Sequence, residues 1–371
     1  ITFAKDIIPA TPLSHRNMVI NGAAQVSQRA TTTHPNPKGA SDDGYFCWDR
    51  WRLVSENSTA ARFNLIQTAV TDLAGFPYAM LVDCTTANTS LSGGDADDGV
   101  SIWQRFEGQN LQRFAKGTSS AKEWTLSFYI KSATTGTYAF ELLDYDSSNR
   151  HMVKTYTVDA ADTWEYKSIT FPADTTGAFD NDNANSLAAE FWLVAGSDYT
   201  SGGTMTAWAD LVNNKRAGGH TANAGASDND YVRITGVQLE VGNQATEYEH
   251  KTHHEELSAC QRYYYKIVGT DSDMAAFGFN YSGSAHYFNI EFPVPMRDYP
   301  TYTGSATAAR IFANNIGQDF NLSSLAIVGN MTNAYPKRVT LYVSAGGANA
   351  GEGGLLSIQN AEGYLEFSSE L

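Results

Sequence analysis

The chain has little charge, little cysteine and few bases. Charged residues make up 18% of its 371 residues, and 25 Lys and Arg face 40 Asp and Glu, a formal net charge of −15. Its one small basic group is Asn214-Lys215-Arg216. An acidic chain without a basic patch repels phosphate backbones, so no nucleic acid is expected as a partner. Three cysteines, Cys47, Cys84 and Cys260, form no Cys-x-x-Cys pair, which leaves zinc and redox motifs unsupported. They read as small buried hydrophobes of a protein made in a reducing cytoplasm, with a Cys47–Cys84 disulfide as the alternative. No run is long and apolar enough to span a membrane, and no leader pattern is legible, so membrane insertion is not expected. Gly-x-Ser-x-Gly, His-Glu-x-x-His and Gly-Lys-[Ser/Thr] are all missing. His253-His254-Glu255-Glu256 are adjacent rather than spaced for two ligands on one helix face, and the eight histidines are scattered. The chain is therefore not expected to be an enzyme, although 40 carboxylates leave a hydrolytic pair open.

Aromatics and turn residues are plentiful. There are 20 Tyr, 18 Phe, 7 Trp and 31 Gly. Aromatic runs punctuated by Gly, Asn, Asp, Ser and Thr indicate an all-β protein. Strands are predicted over Asn17–Gln28, with a turn at Asn21-Gly22, and over Tyr45–Val54, where an Asp49–Arg50 ion pair between tryptophans would fix the strand. Others follow at Arg62–Gln67, Tyr78–Cys84 and Val100–Phe106. The cleanest is Glu123–Lys131: Trp124, Leu126, Phe128 and Ile130 form a core face, and Thr125, Ser127, Tyr129 and Lys131 face outward. Tyr138–Asp144, His151–Val158, Trp164–Phe171 and Leu187–Ala195 continue the series, and Thr204–Leu211 reads as a short helix. About ten short strands in some 230 residues, without a 20–50-residue repeat, suit a jelly-roll-like antiparallel β-sandwich. A smaller β-sandwich follows, with Phe288, Ile290 and Phe292 alternating inward.

The two are joined at YVRITGVQLEVGNQATEYEHKTHHEELSACQRYYYK, Tyr231 to Lys266. Its apolar phase slips at Thr235-Gly236, which predicts a β-bulge. Thr252 to Glu255 is a capping-box pattern that opens a short helix. The domain reading is an N-terminal arm at 1–14, a jelly roll at 15–252 and a C-terminal β-sandwich at 253–371. The arm, apolar with two prolines, covers either its own domain or a neighbouring subunit.

The runs ITGVQLEVGNQATEYEH and EELSACQRYYYK resemble bacteriophage tail-fibre and related virion surface proteins, as do NMVINGAAQVSQR, DRWRL at Asp49–Leu53 and GQNLQRF…WTLSFYIKS at Gly108–Ser132. FPVPMRDYPTYT and the closing YLEFSSEL are similar to C-terminal domains of such fibres. The resemblance implies a carbohydrate-binding-type jelly roll, a host cell-surface glycan and other virion proteins as partners, and a homotrimer on the virion surface. The leading expectation is a tail fibre or receptor-binding protein; the alternatives are a capsid decoration or head fibre and, behind it, a glycan-degrading enzyme.

Sugars are held by aromatic rings against their C–H faces and by amides and carboxylates at their hydroxyls. Trp103, Tyr129, Tyr145 and Tyr199 are the expected ring platforms, set against the alternative that they are core. Tyr129 lies on the polar face of its strand, and Tyr145 and Tyr199 lie in polar stretches. No cofactor is required, but Asp95, Asp97 and Asp98 form an oxygen-rich loop that would suit a structural Ca2+; a solvated acidic loop is the competing reading.

Overall fold

The computed structural model describes residues 14–39, 42–56, 60–90, 97–268, 273–304, 309–313, 319–321, 324–327, 337–344, 350–358 and 364–371. Residues 1–13 of the expected 1–14 arm, and Asp95 of the acidic loop, lie outside them. The chain divides into two compact units, one reaching Glu256 and joined by Leu371, the other Leu257–Glu370.

The first unit is an antiparallel sandwich. Its strands are β1 (Lys38–Gly39), β2 (Arg52–Glu56), β3 (Arg62–Ala69), β4 (Tyr78–Thr86), β5 (Gly99–Glu107), β6 (Trp124–Ser132), β7 (Gly136–Asp144), β8 (Arg150–Val158), β9 (Glu165–Phe171), β10 (Asn185–Ala195), β11 (Ala209–Asp210) and β12 (Tyr231–Val241). One sheet runs β1-β3-β4-β12-β6-β9, the other β11-β8-β7-β10-β5-β2. Between them lies one apolar core, to which β6 contributes Trp124, Leu126, Phe128 and Ile130. Edge-to-face rings knit it: Phe191 meets Phe128 at 5.0 Å and Phe140 at 4.6 Å. Cys47 and Cys84 of this unit are free and buried, and Cys260 of the second unit is buried as well.

The bulge in β12 is where the sequence places it. Pairing with β6 shifts between Thr235 and Gln238, and Gly236 takes φ +63°. Strict alternation would send Val237 and Leu239 to the face opposite Val232 and Ile234; the extra residue returns all four to the core. Glycine is required here because its φ is left-handed and an added Cβ would lie 2.9 Å from the Phe76 ring. The capping box also forms. Thr252 Oγ1 accepts from Glu255 N–H at 3.3 Å, and the Glu255 carboxylate accepts from Thr252 N–H at 2.7 Å, at the start of a helix over His253–Gln261.

Three expected elements differ. Asn17–Gln28 is not a strand but a loop wound about Asn21, whose side chain accepts from Val26 N–H and donates to Val26 O and Asp49 O. Tyr45–Val54 becomes a strand only from Arg52. Cys47, Trp48, Asp49, Arg50 and Trp51 are all buried, which no two-faced alternation allows; a turn with Arg50 at φ +71° achieves it. Asp49 there pairs with Arg29 at 3.8 Å and accepts from Gln28 N–H, while Arg50 donates to Arg105 O. Thr204–Leu211 is not helical: Ala209–Asp210 adds as strand β11, and the short helix α1 is Ser197–Thr200. Trp208 explains the difference, since its indole N–H must reach Pro172 O for the ring to be buried.

The second unit pairs a three-stranded sheet with a seven-stranded one. The former includes β13 (Tyr264–Val268) and the C-terminal strand Tyr364–Ser368. The latter is centred on β14 (Asp273–Asn280) and β15 (Ala285–Glu291). Phe288, Ile290 and Phe292 point inward as the alternation predicts, against Leu365 and Phe367 of the other sheet. Nearly every described element of the chain is a strand, so the protein is an all-β double sandwich. Among the described residues no helix is long and apolar enough to cross a membrane.

Candidate functional site

The first sheet's outer face carries an aromatic cleft. Tyr129 on β6 and Tyr166 on β9 are directly cross-strand, with ring centroids 5.1 Å apart. Phe76, from the β3–β4 loop, packs over the Gly236 bulge at 5.3 Å from Tyr129. Tyr248 and His250 close the other side, each 5.2 Å from Phe76. The cleft encloses about 450 Å³, and Ser127, Thr246 and Glu247 supply its polar fringe. Tyr166 is 48% exposed, so part of its ring is open to a ligand.

The wall at 242–250 is held by polar groups buried beneath it. Gln238 and Glu240 stand opposite Ser127 and Thr125 on the face turned away from the core. Glu240 accepts from Thr246 N–H at 2.8 Å, and Gln238 Oε1 accepts from Glu249 N–H at 2.9 Å. Thr125 Oγ1 donates to Gly242 O. Thr125 and Ser127 do face away from the core as expected, yet this strap buries them. A second cleft, about 350 Å³, lies along the strap with Lys122, Asn243 and Gln244 in its lining, and it shares Ala245 and Thr246 with the first.

An ionic clamp holds the loop that leads to Phe76. Asp72 accepts from Lys131 Nζ at 2.8 Å and Trp164 Nε1 at 2.9 Å. These two hydrogen bonds pull its carboxyl down to about 2 from an ordinary 3.8. A depressed carboxyl stabilises the folded state above its unfolded value, and that contribution fades as pH falls from about 4 towards 2. An NMR carboxyl titration should place the Asp72 midpoint near 2, and Lys131→Met should raise it part of the way back towards 3.8 because the Trp164 hydrogen bond remains; a midpoint near 3.8 in the parent would contradict the clamp.

Of the four expected platforms, the structure brings Tyr129 to this cleft and gathers the other three on the outer face of the second sheet. There Trp103 is 5% and Tyr199 4% exposed. The Arg216 guanidinium covers both rings, at 5.5 and 5.9 Å, and Arg105 lies 5.7 Å from Trp103 and 5.6 Å from Tyr145. The structure thus places Trp103 and Tyr199 as buried, cation-covered rings, and Tyr145 is partly buried against Trp103 and Leu143. Burial pushes the Tyr199 phenol up to about 12.

Arg216 sits over a pair of carboxylates. Glu141 and Glu190 are directly cross-strand and wholly buried. Arg216 Nε donates to Glu141 at 3.1 Å and Nη2 to Glu190 at 3.0 Å, while His151 Nδ1 meets Glu141 at 2.7 Å. Burial raises the Glu190 carboxyl well above the usual range. Burial acts the same way on Glu141, but Arg216 and His151 outweigh it and hold that carboxyl below normal.

In the acidic loop, Asp98 is buried and accepts from Asn88 Nδ2 at 2.7 Å. Among the described residues, Asp97 and Asp98 included, no group of three or more His, Cys, Asp or Glu is arranged to hold a metal ion.

Phe76, Tyr166, Tyr248 and His250 escaped the sequence reading. Tyr166 had a signal: it alternates with the core residues Ile169 and Phe171 of β9 as Tyr129 does on β6. The others reach the cleft from loops, where periodicity says nothing.

No known family profile matches the chain, and no curated protein sequence matches it. Among solved structures, the enzymatically active domain of bacteriophage CBA120 tailspike protein 4 aligns over 61% of this chain and 21% of its own, at 11% identity and a TM-score of 0.31. A sugar-binding protein of Bacteroides thetaiotaomicron aligns over 61% of this chain and all of its own, at 12% identity and TM-score 0.32. The CBM22-1–GH10 modules of Clostridium thermocellum xylanase 10B, complexed with xylohexaose, align over 63% of this chain and 30% of theirs, at 14% identity and TM-score 0.29. At these scores and identities the likenesses establish neither ancestry nor function.

Proposed function

We propose that the chain is a glycan-binding virion protein, a phage fibre or receptor-binding component that engages its host's surface polysaccharide through the aromatic cleft. The cleft carries this reading: a half-exposed tyrosine beside a second ring, with hydroxyl and carboxylate groups at its rim, is what a sugar's apolar face and hydroxyls require. Adhesion fits better than hydrolysis, because the cleft lining offers one carboxylate, Glu247, where glycoside cleavage needs two. The phage setting and the homotrimer come from the sequence resemblance.

Labelled protein should bind host cells and lose binding when the surface polysaccharide is stripped. Tyr166→Ala should weaken binding about tenfold, in line with ~1.4 kcal/mol for losing one ring contact, while the fold survives at so exposed a position. Undiminished binding by Tyr166→Ala would remove this cleft from the reading.

A structural virion role is the second reading, and the second unit favours it. Phe277, Phe279 and Tyr281 on and beside β14 are 68%, 51% and 69% exposed, an aromatic row suited to assembly. No binding to either cell type by a folded protein would favour this role over adhesion.

A further inference from the structure

We propose that the two clefts are contiguous subsites for an extended, uncharged glycan chain, which crosses the Ala245-Thr246 ridge between them. This deepens the glycan-binding reading and rests on it.

Continuity comes first. Ala245 and Thr246 line both clefts, so a chain leaving one enters the other without crossing any further wall. The two ends differ in chemistry. The first offers rings, Tyr129, Tyr166 and Phe76, for stacking. The second offers the exposed amides Asn243 and Gln244, which give and accept hydrogen bonds with hydroxyls. A single sugar would use one set; a chain uses both.

Charge selects the class. Glu247 is the charged side chain in the first cleft's lining, which contains no Lys or Arg. In the second, Lys122 and Glu123 offset one another. With a chain charge of −15 behind them, these surfaces disfavour uronate, sulfate or phosphate groups. Neutral hexose or N-acetylhexosamine chains meet no such opposition.

The ridge is built before the ligand arrives. Thr246 is fixed at both its N–H and its Oγ1 by Glu240, which is almost wholly buried, and Gln238 Nε2 donates to Thr246 Oγ1 at 3.0 Å. A wall fixed this way loses little freedom on binding, so each added sugar contact should appear in the affinity.

The test is a printed array of neutral oligosaccharides one to eight sugars long, each beside a uronic-acid-bearing counterpart of equal length. It is probed with the parent protein, Tyr166→Ala and the double variant Asn243→Ala/Gln244→Ala. The parent should gain about tenfold in affinity once the chain is long enough to span both clefts, and bind the acidic counterparts about tenfold less tightly. The double variant should lose the gain with length and keep the short-chain affinity. If affinity is flat with length, if the double variant matches the parent, or if acidic chains bind equally, the proposal is wrong. In those cases the glycan-binding reading still stands wherever Tyr166→Ala weakens binding. If no glycan on the array is retained, both fall.

Discussion

Replacing Arg216 with methionine is expected to destabilise the first unit by about 3–5 kcal/mol, the usual cost of leaving a buried carboxylate without its cation. Methionine keeps much of the packing against Trp103, Trp192 and Tyr199, so the loss isolates the charge. Glu141 and Glu190 face one another across adjacent strands, an arrangement that is unfavourable unless a cation or a proton intervenes. Arg216 donates to both carboxylates, and burial raises the Glu190 carboxyl above its ordinary range.

Their pH contributions have opposite signs. The lowered Glu141 stabilises the fold above its unfolded value of 4.5 and loses that contribution on acidification. The raised Glu190 stabilises below 4.5 and loses its contribution as pH rises towards its folded value. Without Arg216, Glu141 joins Glu190 in the second class, so Arg216→Met should be least damaging in mild acid and worst at alkaline pH. Urea unfolding followed by tryptophan fluorescence reads this unit alone, because all seven tryptophans precede Glu256. A loss under 1 kcal/mol, or one that does not grow with pH, would contradict the assignment.

The other large effect is expected at Lys116. Its ammonium is fully buried, 2.5 Å from Asp144 and 3.2 Å from Asp174, and it donates to Thr176 O and Gly177 O. It gathers the end of β7 and the loop after β9 into one polar knot, and Arg150 grips Asp174 from the other side at 3.0 and 3.1 Å. Lys116→Met strips the cation and leaves Asp144 buried with the neutral N–H groups of Asp146 and Ser147 as donors in place of an ammonium. A loss of about 3 kcal/mol follows. Asp174 keeps Arg150, so the cost falls mainly on Asp144, and Lys116→Met/Asp144→Asn should recover part of it. The same fluorescence transition measures both; a double variant less stable than the single would show that Asp144 is not the residue left unpaired.

Much of this protein was legible where neighbours in sequence decide the outcome. The inward row of β6, the bulge at Gly236 and the Thr252–Glu255 capping box each depend on alternation, one φ angle or a three-residue spacing. The all-β double sandwich follows from many such local signals. Cys47 and Cys84 were also legible as free buried hydrophobes, since nothing in their spacing demanded a bond.

What each face of a strand meets was settled only in three dimensions. Trp103 sits on a strand face that alternation alone would leave open. Arg216, 113 positions later, lies over its ring. Thr125 and Ser127 look solvent-facing in sequence, and the strap after β12 covers them. The run from Tyr45 alternates on paper, but burying Cys47, Trp48, Asp49, Arg50 and Trp51 together required a turn. The cleft itself joins Phe76, Tyr129, Tyr166 and Tyr248, which share no local pattern. Sequence periodicity fixes which way a side chain points; the segment that covers it arrives by a long-range contact, and no local rule encodes that contact.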